Sequence, residues 1–317
     1  MAAVYLHEQK DFPDLLRILA DERNILPGLI EKDYWIMQVL YGLKKQGYAF
    51  QLKGGTSLSK GFGIIDRFSE DLDLHIDPLA ELGINENPKN TKTANIEKKR
   101  KYYDTLAGEI KIDGIIKIAR DTEFDNTDTY NSGGIRLFYE TFTEPVEGAK
   151  EGILLEVGFD NVAPNSPVMI SSWAYERAQG AAIELIDNRA VDIYCYHPGY
   201  TFVEKLQTIA TKFRKEISSG EEQKNYMRQY YDVYSLLNNQ IVLDFIATDD
   251  YKLHKEKRFP AADRAIPIKE NEAFLLNNAA LRDRFQKRYE GTKGLYYKGQ
   301  PPFNEVMARI QAHVDQL

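Results

Sequence analysis

The chain has 317 residues, of which 43% are hydrophobic and 28% charged, and this composition indicates a globular protein with a sizeable core and two subdomains. Its net charge of −7 excludes an overall positive field for nucleic acid, so any RNA contact requires local basic patches. The single cysteine, Cys195, excludes an intramolecular disulfide and a cysteine zinc cluster, and its apolar context predicts a buried strand thiol. No apolar run approaches the length of a membrane span and no secretory signal opens the chain, so we expect a cytoplasmic protein without a membrane partner.

Two amphipathic helices are predicted near the N-terminus. Apolar residues at helical spacing predict the first over residues 9–23. The second carries an apolar stripe from Ile30 to Tyr41. Lys32 and Asp33 in its first turn have two interpretations, a charged helix start or a direct role in chemistry.

A strand and a glycine turn follow these helices. Alternation of apolar and polar residues predicts a strand over residues 48–53, which Gly54 and Gly55 break. Thr56 is expected to cap a new helix. A glycine turn at a helix N-terminus lets backbone N–H groups approach a phosphate, although two glycines after a strand also occur in simple tight turns. The residues of this turn that we predict to bind nucleotide are Gly54, Gly55, Thr56, Ser57 and Lys60.

The segment Asp71-Leu-Asp-Leu74 predicts a second strand. Alternation puts Asp71 and Asp73 on one face and the two leucines on the other. The two carboxylates, roughly 7 Å apart along the strand, suit one or two Mg²⁺ ions, although such a pair also occurs on solvated strand edges.

The order of these elements carries more information than each one alone. A strand, a glycine turn, a helix and a strand with Asp-x-Asp resemble the core of polymerase-β-type nucleotidyltransferases. The fuller string GGTSLSK…RFSEDLDL resembles the AbiEii/AbiGii toxin family, which includes the MenT-type toxins. The fifteen residues between Gly55 and Asp71 exceed the spacing of the superfamily but resemble that of this family, and the segment Ile30-Glu-Lys-Asp-Tyr-Trp35 also resembles it.

The next informative stretch is a basic helix. Residues 77–95 are predicted to be a loop, and residues 96–112 a helix that opens with Glu97-Lys-Lys-Arg-Lys-Tyr-Tyr103. Lys98 to Lys101 could track a phosphate backbone while Tyr102 and Tyr103 stack a base, or the cations could form a solvated face. Strands are predicted at 115–119 and 135–142, joined by a long turn.

A third carboxylate is predicted on the strand Gly152–Asp160. Its apolar residues share one face, and Glu156 and Asp160 point the other way. A carboxylate on so apolar a strand needs a partner, and the family resemblance implies an acidic metal ligand on a late strand of this kind. Glu156 is the first choice and Asp160 the second, with an ordinary edge carboxylate as the alternative.

The second half of the chain changes character. Residues 162–172 are predicted to be a linker, followed by strand-like segments up to Tyr196 and then a helix in which Lys205 and Lys212 flank the apolar stripe. The strings Val203-Glu-Lys-Leu206 and Arg228-Gln-Tyr-Tyr-Asp-Val-Tyr234 resemble motifs of the family, although Gln229-Tyr230 departs from its usual Arg-Asp step.

The resemblance implies that Lys205 contacts the nucleotide phosphates and that Asp232 completes the site. The alternative for Arg228 and Asp232 is a helix-surface pair of four-residue spacing. From Ile241 onward the chain is predicted to be helical, with a second basic patch over Lys252–Arg258.

Together these observations predict an α/β (α+β) protein. A polymerase-β-type core with a mixed sheet would occupy residues 1–170, and a mainly helical domain, residues 171–317, would complete an active site lying between them. The resemblance implies transfer of a nucleotide from an NTP to RNA, with a tRNA 3′ end as acceptor, by a toxin that a separately encoded antitoxin neutralises. Asp71, Asp73 and Glu156 would hold Mg²⁺, or alternatively Mn²⁺.

Two other classes of function stay open. A small-molecule nucleotidyltransferase of the antibiotic-modifying kind shares the same core, and a nucleotide-binding module would bind NTP without releasing pyrophosphate. The sequence leaves the NTP, the acceptor, the antitoxin and the oligomeric state undefined. A purely structural protein is the weakest hypothesis, because it gives no reason to align three carboxylates.

Overall fold

The computed structural model describes residues 3–146, 148–160, 162–180 and 184–317. The chain forms two compact units. Unit 1 comprises Met1–Phe62 and Phe68–Tyr196, and unit 2 comprises Gly63–Arg67 and His197–Leu317. The main boundary therefore follows Tyr196, later in the chain than the position at residue 170 that the sequence suggested.

Unit 1 is built on a mixed sheet. In the described part of the chain the sheet has seven strands: β1 Phe50–Lys53, β2 Asp71–Ile76, β3 Ile115–Asp121, β4 Ser132–Tyr139, β5 Ile153–Gly158, β6 Asn165–Ile170 and β7 Ala190–Tyr196. Their order is β3-β4-β5-β2-β1-β7-β6. The pairs β1–β7 and β2–β5 are parallel and the others antiparallel. The predicted α/β class with a mixed sheet is confirmed.

The three central strands separate an apolar face from a charged one. Leu52, Leu72, Leu74, Leu155 and Val157 are fully buried. On the opposite face, the polar residues Gln51, Lys53, Asp71, Asp73 and Glu156 are only partly buried, whereas Leu154 beside Asp71 is buried. Burial of the apolar face fixes the register, because a slip of one residue would turn every side chain to the opposite face.

Helices cover the apolar face. Those of unit 1 are α1 Phe12–Arg23, α2 Pro27–Lys45, α3 Gly54–Thr56, α4 Thr93–Glu109 and α5 Trp173–Ala178. Helix α2 is buried over most of its length, including Glu31, Lys32 and Asp33. Tyr34 and Trp35 of the same helix lie in the core with α1 and the central strands.

The turn after β1 differs from the prediction. Helix α3 begins at Gly54, whose φ of +73° turns the backbone directly out of the strand, and it continues into a π-helical turn over Ser57–Gly61. Thr56 therefore lies within the helix and does not cap it. Its Oγ1 donates to the carbonyl oxygen of Asp71 at 2.6 Å, which ties the turn to β2.

The predicted linker at 162–172 is also wrong. Residues Asn165–Ile170 form β6, which pairs with β7 at the end of the sheet. Its composition misled the prediction, because Pro167 is tolerated in an edge strand whose outer side needs no partner. The predicted strand-like stretch up to Tyr196 begins instead with α5, capped by Ser172, whose Oγ accepts from the Tyr175 N–H at 3.1 Å. Residues 181–183 of that stretch lie outside the described residues.

Unit 2 is helical in its described residues, as predicted for the C-terminal region. Its helices are α6 Pro198–Ser219, α7 Met227–Leu237, α8 Gln240–Ile246, α9 Asp249–Arg258, α10 Ala261–Arg264, α11 Glu272–Leu275, α12 Ala279–Glu290 and α13 Phe303–Gln311. His197 caps α6, since its Nδ1 accepts from the Gly199 N–H at 3.1 Å. None of the described helices in either unit is long and apolar enough to cross a bilayer.

Candidate active site

The charged face of the central strands brings together the predicted carboxylates of unit 1. Asp73 of β2 lies opposite Glu156 of β5 on one side and opposite Lys53 of β1 on the other. Paired residues in a sheet share a face, so these side chains form a row across three strands. Asp71 lies two residues before Asp73 and faces the same way.

The glycine turn touches this row. A Cβ atom added to Gly54 would lie 1.9 Å from Oδ2 of Asp73, and the φ of Gly54 is +73°. Any other residue at this position would collide with the carboxylate and strain the backbone. The predicted nucleotide turn and the first predicted metal ligands are therefore neighbours in space.

The hydroxyl groups of the turn bond to the protein itself. Ser57 Oγ donates to the Gly54 carbonyl oxygen at 2.9 Å, and Thr56 Oγ1 donates to the Asp71 carbonyl oxygen. Thr56, Ser57 and Gly55 are buried. These side chains therefore fix the shape of the turn.

Lys60 has a partner that the sequence analysis did not foresee. Its Nζ forms a 2.6 Å ion pair with Asp33, whose side chain is 1% exposed, and lies 5.2 Å from the centre of the Trp173 ring. Asp33 also accepts from the Trp173 N–H at 2.8 Å. Lys32 Nζ donates to the carbonyl oxygens of Lys150 and Gly152. Both charges of the α2 first turn thus hold neighbouring segments in place.

Two lysines balance the carboxylate row. Lys53 Nζ pairs with Asp160 Oδ2 at 2.7 Å, and Lys150 Nζ bonds to both carboxylate oxygens of Asp71, at 3.0 and 2.9 Å. Asp160 lies beyond the end of β5, whereas Glu156 lies beside Asp73 in the sheet. The register favours Glu156 over Asp160 as the third carboxylate.

The donor set fits Mg²⁺ in chemistry, because hard divalent cations prefer carboxylate oxygens and three carboxylates share this face. Among the residues that the structure describes, however, no three His, Cys, Asp or Glu side chains are gathered closely enough to hold a metal ion. The bonds between Lys150 and Asp71 would have to open before Asp71 could join a metal site.

In unit 2, Asp232 is the centre of a buried charge network. Arg67 donates to it through Nε and Nη2, each at 2.6 Å, and Lys205 Nζ lies 3.0 Å from its Oδ2. Burial raises the pKa of Asp232, but Arg67 and Lys205 together lower it more, to about 2. Asp232 is fully buried, so the alternative of a surface pair with Arg228 is wrong. Because Asp232 is inaccessible to solvent, it is not exposed to a ligand. Its contact with Lys205 Nζ instead holds that lysine in position.

Two further cations, Lys212 of α6 and Arg228 of α7, lie near enough to Lys205 or to each other to interact electrostatically. The Tyr226 hydroxyl donates to the Ile209 carbonyl oxygen at 3.1 Å and Asp232 meets Lys205, so α6 and α7 run antiparallel. Burial lowers the pKa of Lys212 to about 8, with added repulsion from Arg228, Lys205 and Lys215. A bound anion would relieve this repulsion, although Lys212 Nζ already donates to the carbonyl oxygen of Lys224. Lys212 lies at the flank of α6, as predicted, but the sequence motifs do not assign it or Arg228 to the site.

The two tyrosines of the first predicted basic patch are not available to stack a base. Lys99 is fully buried, its Nζ donating to Asn131 Oδ1 at 2.5 Å. Tyr102 and Tyr103 are buried and donate to the carbonyl oxygens of Ile76 and Tyr130. Residues three and four apart share a helix face, so the two tyrosines turn inward with Lys99 and cannot stack a base.

In both basic patches some lysines are exposed, but the neighbouring aromatic rings are buried. Lys98 and Lys101 are exposed on α4, and Arg100 is half-buried. At the second patch, Tyr251 and Phe259 are buried while Lys252 and Lys257 are exposed.

A model of the family "Nucleotidyl transferase AbiEii toxin, Type IV TA system" matches residues 38–309. The chain belongs to the AbiEii family. The match spans the glycine turn, the carboxylate row and the Lys205–Asp232 pair, so this AbiEii chain is a nucleotidyltransferase of a toxin family, as the motifs predicted.

Other comparisons add little for this AbiEii chain. A solved "antigenic nucleotidyltransferase-like protein" from Paracoccidioides brasiliensis is similar at 11% identity, with 73% of this chain and 95% of that chain covered and a TM-score of 0.32. No curated protein matches the chain.

Proposed function

We propose that this AbiEii protein transfers a nucleotidyl group from an NTP to RNA, with a tRNA 3′ end as acceptor, in a Mg²⁺-dependent reaction. The observation that carries the proposal is the contact between Gly54 and Asp73, beside Glu156. A phosphate held by the turn would lie next to the carboxylates, which is where a nucleotidyl group must react.

In the proposed reaction, the acceptor hydroxyl oxygen attacks the α-phosphorus of the NTP. A bond forms between this oxygen and the phosphorus, the bond from the phosphorus to the bridging oxygen of pyrophosphate breaks, and the hydroxyl proton passes to solvent. Asp71, Asp73 and Glu156 would hold Mg²⁺, which supplies positive charge for the triphosphate and acidifies the acceptor hydroxyl. The backbone N–H groups at Gly54 and Gly55 bind phosphate oxygens.

Lys205 has the proposed role of neutralising charge on the departing pyrophosphate. Asp232 and Arg67 support this role, since the bidentate pair fixes the carboxylate to which Lys205 is bonded. Lys212 and Arg228, which act electrostatically on each other, would provide a second phosphate contact in unit 2.

A small-molecule acceptor is the second candidate. Burial of Lys99, Tyr102 and Tyr103 removes the aromatic platform on which one RNA argument rested. The exposed cations Lys98 and Lys101 support RNA binding through charge alone.

Incubation with total RNA, each labelled NTP and Mg²⁺ or Mn²⁺ tests the proposal. We expect labelled RNA and one pyrophosphate per nucleotide added, and neither product from the Asp73→Asn variant. Pyrophosphate release with labelled small molecules and unlabelled RNA would identify the second candidate. NTP binding without pyrophosphate in any condition would identify a binding module.

The pH dependence of phosphate binding tests the role of Lys212. Because burial and neighbouring cations lower its pKa to about 8, Lys212 loses its charge as the pH rises through this value. Tripolyphosphate binding, measured by calorimetry between about pH 7 and pH 9.5, should therefore weaken over this range relative to binding by the Lys212→Arg variant. Lys212→Arg stays charged, so its pH dependence reports only the ionisation of the ligand and of the other groups.

Two further variants control that experiment. Lys205→Ala should bind tripolyphosphate about tenfold more weakly at every pH, with little change in melting temperature. Lys215→Ala, which removes the weakest of the three repulsions on Lys212, should keep the wild-type affinity at neutral pH and lose binding at a slightly higher pH. A Lys212→Arg variant with the wild-type pH dependence would contradict the assignment.

The proposed biological role is that of a cytoplasmic toxin with a separately encoded antitoxin. Expression without the neighbouring genes should slow growth, because modified RNA ends would block translation. Asp73→Asn at the same protein level should restore it. Equal growth of both strains would contradict the toxin role while leaving transfer to a small molecule possible.

A further inference from the structure

The carboxylate of Asp71 is already occupied by a cation of the protein. Lys150 Nζ lies 3.0 and 2.9 Å from its two oxygens, and 4.3 Å from the centre of the Phe124 ring. The side chains of Lys150 and Asp71 are 28% and 16% exposed. The ammonium group therefore covers the oxygens that a metal ion would use.

Lys150 is held in this position through its backbone. Its N–H donates to Glu70 Oε2 at 2.8 Å, and its carbonyl oxygen accepts from Lys32 Nζ. Lys32 also donates to the carbonyl oxygen of Gly152 at 2.7 Å and lies 3.5 Å from Glu70 Oε2. Glu70 directly precedes Asp71, so this network fixes the backbone of Lys150 beside the start of β2.

An ammonium group and a divalent ion cannot share these oxygens. Mg²⁺ binds carboxylate oxygen at about 2.0–2.1 Å with other ligands around it, and the nitrogen of Lys150 takes the same approach. The side chain of Lys150 has several rotatable bonds, so it can leave Asp71 while the network at its backbone stays intact.

We propose that Lys150 is a tethered competitor of the metal ion. It neutralises Asp71 in the metal-free protein, and a divalent ion must displace it to bind all three carboxylates. This inference rests on the proposed metal role of Asp71, Asp73 and Glu156. If Lys150 occupies Asp71 about nine-tenths of the time, the apparent metal affinity falls about tenfold below that of the free carboxylates.

Binding of Mn²⁺ to the full-length protein, followed by electron paramagnetic resonance, tests the proposal without any substrate. Lys150→Met keeps the length of the side chain and removes its charge. We expect it to bind Mn²⁺ about tenfold more tightly than the wild type, or to bind one more ion per chain. Lys150→Arg keeps the charge and should bind Mn²⁺ no more tightly than the wild type.

Lys117→Met is the matched control. Lys117 is an exposed lysine of the same sheet whose Nζ also lies over an aromatic ring, 5.1 Å from the centre of Phe138. Its Mn²⁺ affinity should equal that of the wild type. Melting temperatures provide a second readout, since Mn²⁺ should raise that of Lys150→Met more than that of the wild type.

The possible failures are distinguishable. If the wild type binds Mn²⁺ through Asp73 and Lys150→Met has the same affinity and stoichiometry, competition by Lys150 is wrong and the metal proposal survives. If no protein binds Mn²⁺ and Asp73→Asn changes nothing, both proposals are wrong.

Discussion

Asp73→Asn is expected to slow nucleotidyl transfer by about a thousandfold or more, with the fold retained. Asp73 lies between Gly54 and Glu156, where loss of one negative charge weakens the hold on the metal and on the triphosphate. A metal contributes several kcal/mol to transition-state stabilisation, and about 4 kcal/mol corresponds to a thousandfold in rate. Single-turnover incorporation of labelled NTP, with RNA in excess, measures the effect.

The control for this variant is Asp192→Asn. Asp192 is an exposed residue of β7 with a φ of +53°, a conformation that asparagine tolerates well, so this change should alter neither rate nor stability. Asp71→Asn should also lose transfer, and it additionally releases Lys150 from its ion pair. Incorporation by Asp73→Asn within threefold of the wild-type rate would remove Asp73 from the site.

Asp232→Ala is expected to destabilise the protein by about 3–5 kcal/mol, because it leaves the buried guanidinium of Arg67 without its partner. The Arg67 and Asp232 side chains are 3% and 0% exposed and joined by two 2.6 Å hydrogen bonds. Urea unfolding followed by circular dichroism measures the loss. The double variant Arg67→Met with Asp232→Leu should recover much of the stability, since both charges of the buried pair are removed together and Lys205, whose side chain is 14% exposed, can turn toward water.

The same pair has a defined pH range. The folded-state pKa of Asp232, about 2, is below the usual value for an unfolded aspartate, so its contribution is complete above about pH 4 and is lost as the pH falls toward 2. The difference in unfolding free energy between wild type and the double variant should therefore change only below about pH 4. If this difference in unfolding free energy changed instead between about pH 6 and 8, a group other than Asp232 would be responsible for the pH dependence.

The local sequence pattern correctly predicts which way a side chain faces where strand alternation or helical spacing decides burial. The leucines of β2 fix which way Asp71 and Asp73 face, and the same rule applied to Glu156. The alternative of a surface Asp232 failed because one helix face can be buried by elements distant in the chain. Helical spacing could have predicted that the rings of the first basic patch are buried, since Lys99, Tyr102 and Tyr103 follow the period of the buried α4 residues.

Ion pairs between residues far apart in the chain could not be predicted from the sequence. Lys150 meets Asp71 across 79 residues, and Arg67 meets Asp232 across 165. Neither pair has a spacing rule, because both depend on how strands and helices assemble. The start of α3 was missed for a different reason, since the positive φ of Gly54 made a capping side chain unnecessary.

The assignment of Gly63–Arg67 to unit 2 limits how this protein can be divided or recombined. These five residues fall between the glycine turn and β2, which accounts for part of the long spacing between Gly55 and Asp71. A gene fragment encoding residues 197–317 alone would lack Arg67 and would have to bury Asp232 without its guanidinium partner. Exchange of the helical unit between relatives at a single crossover would likewise separate Arg67 from Asp232. The two units are therefore expected to be inherited as one piece.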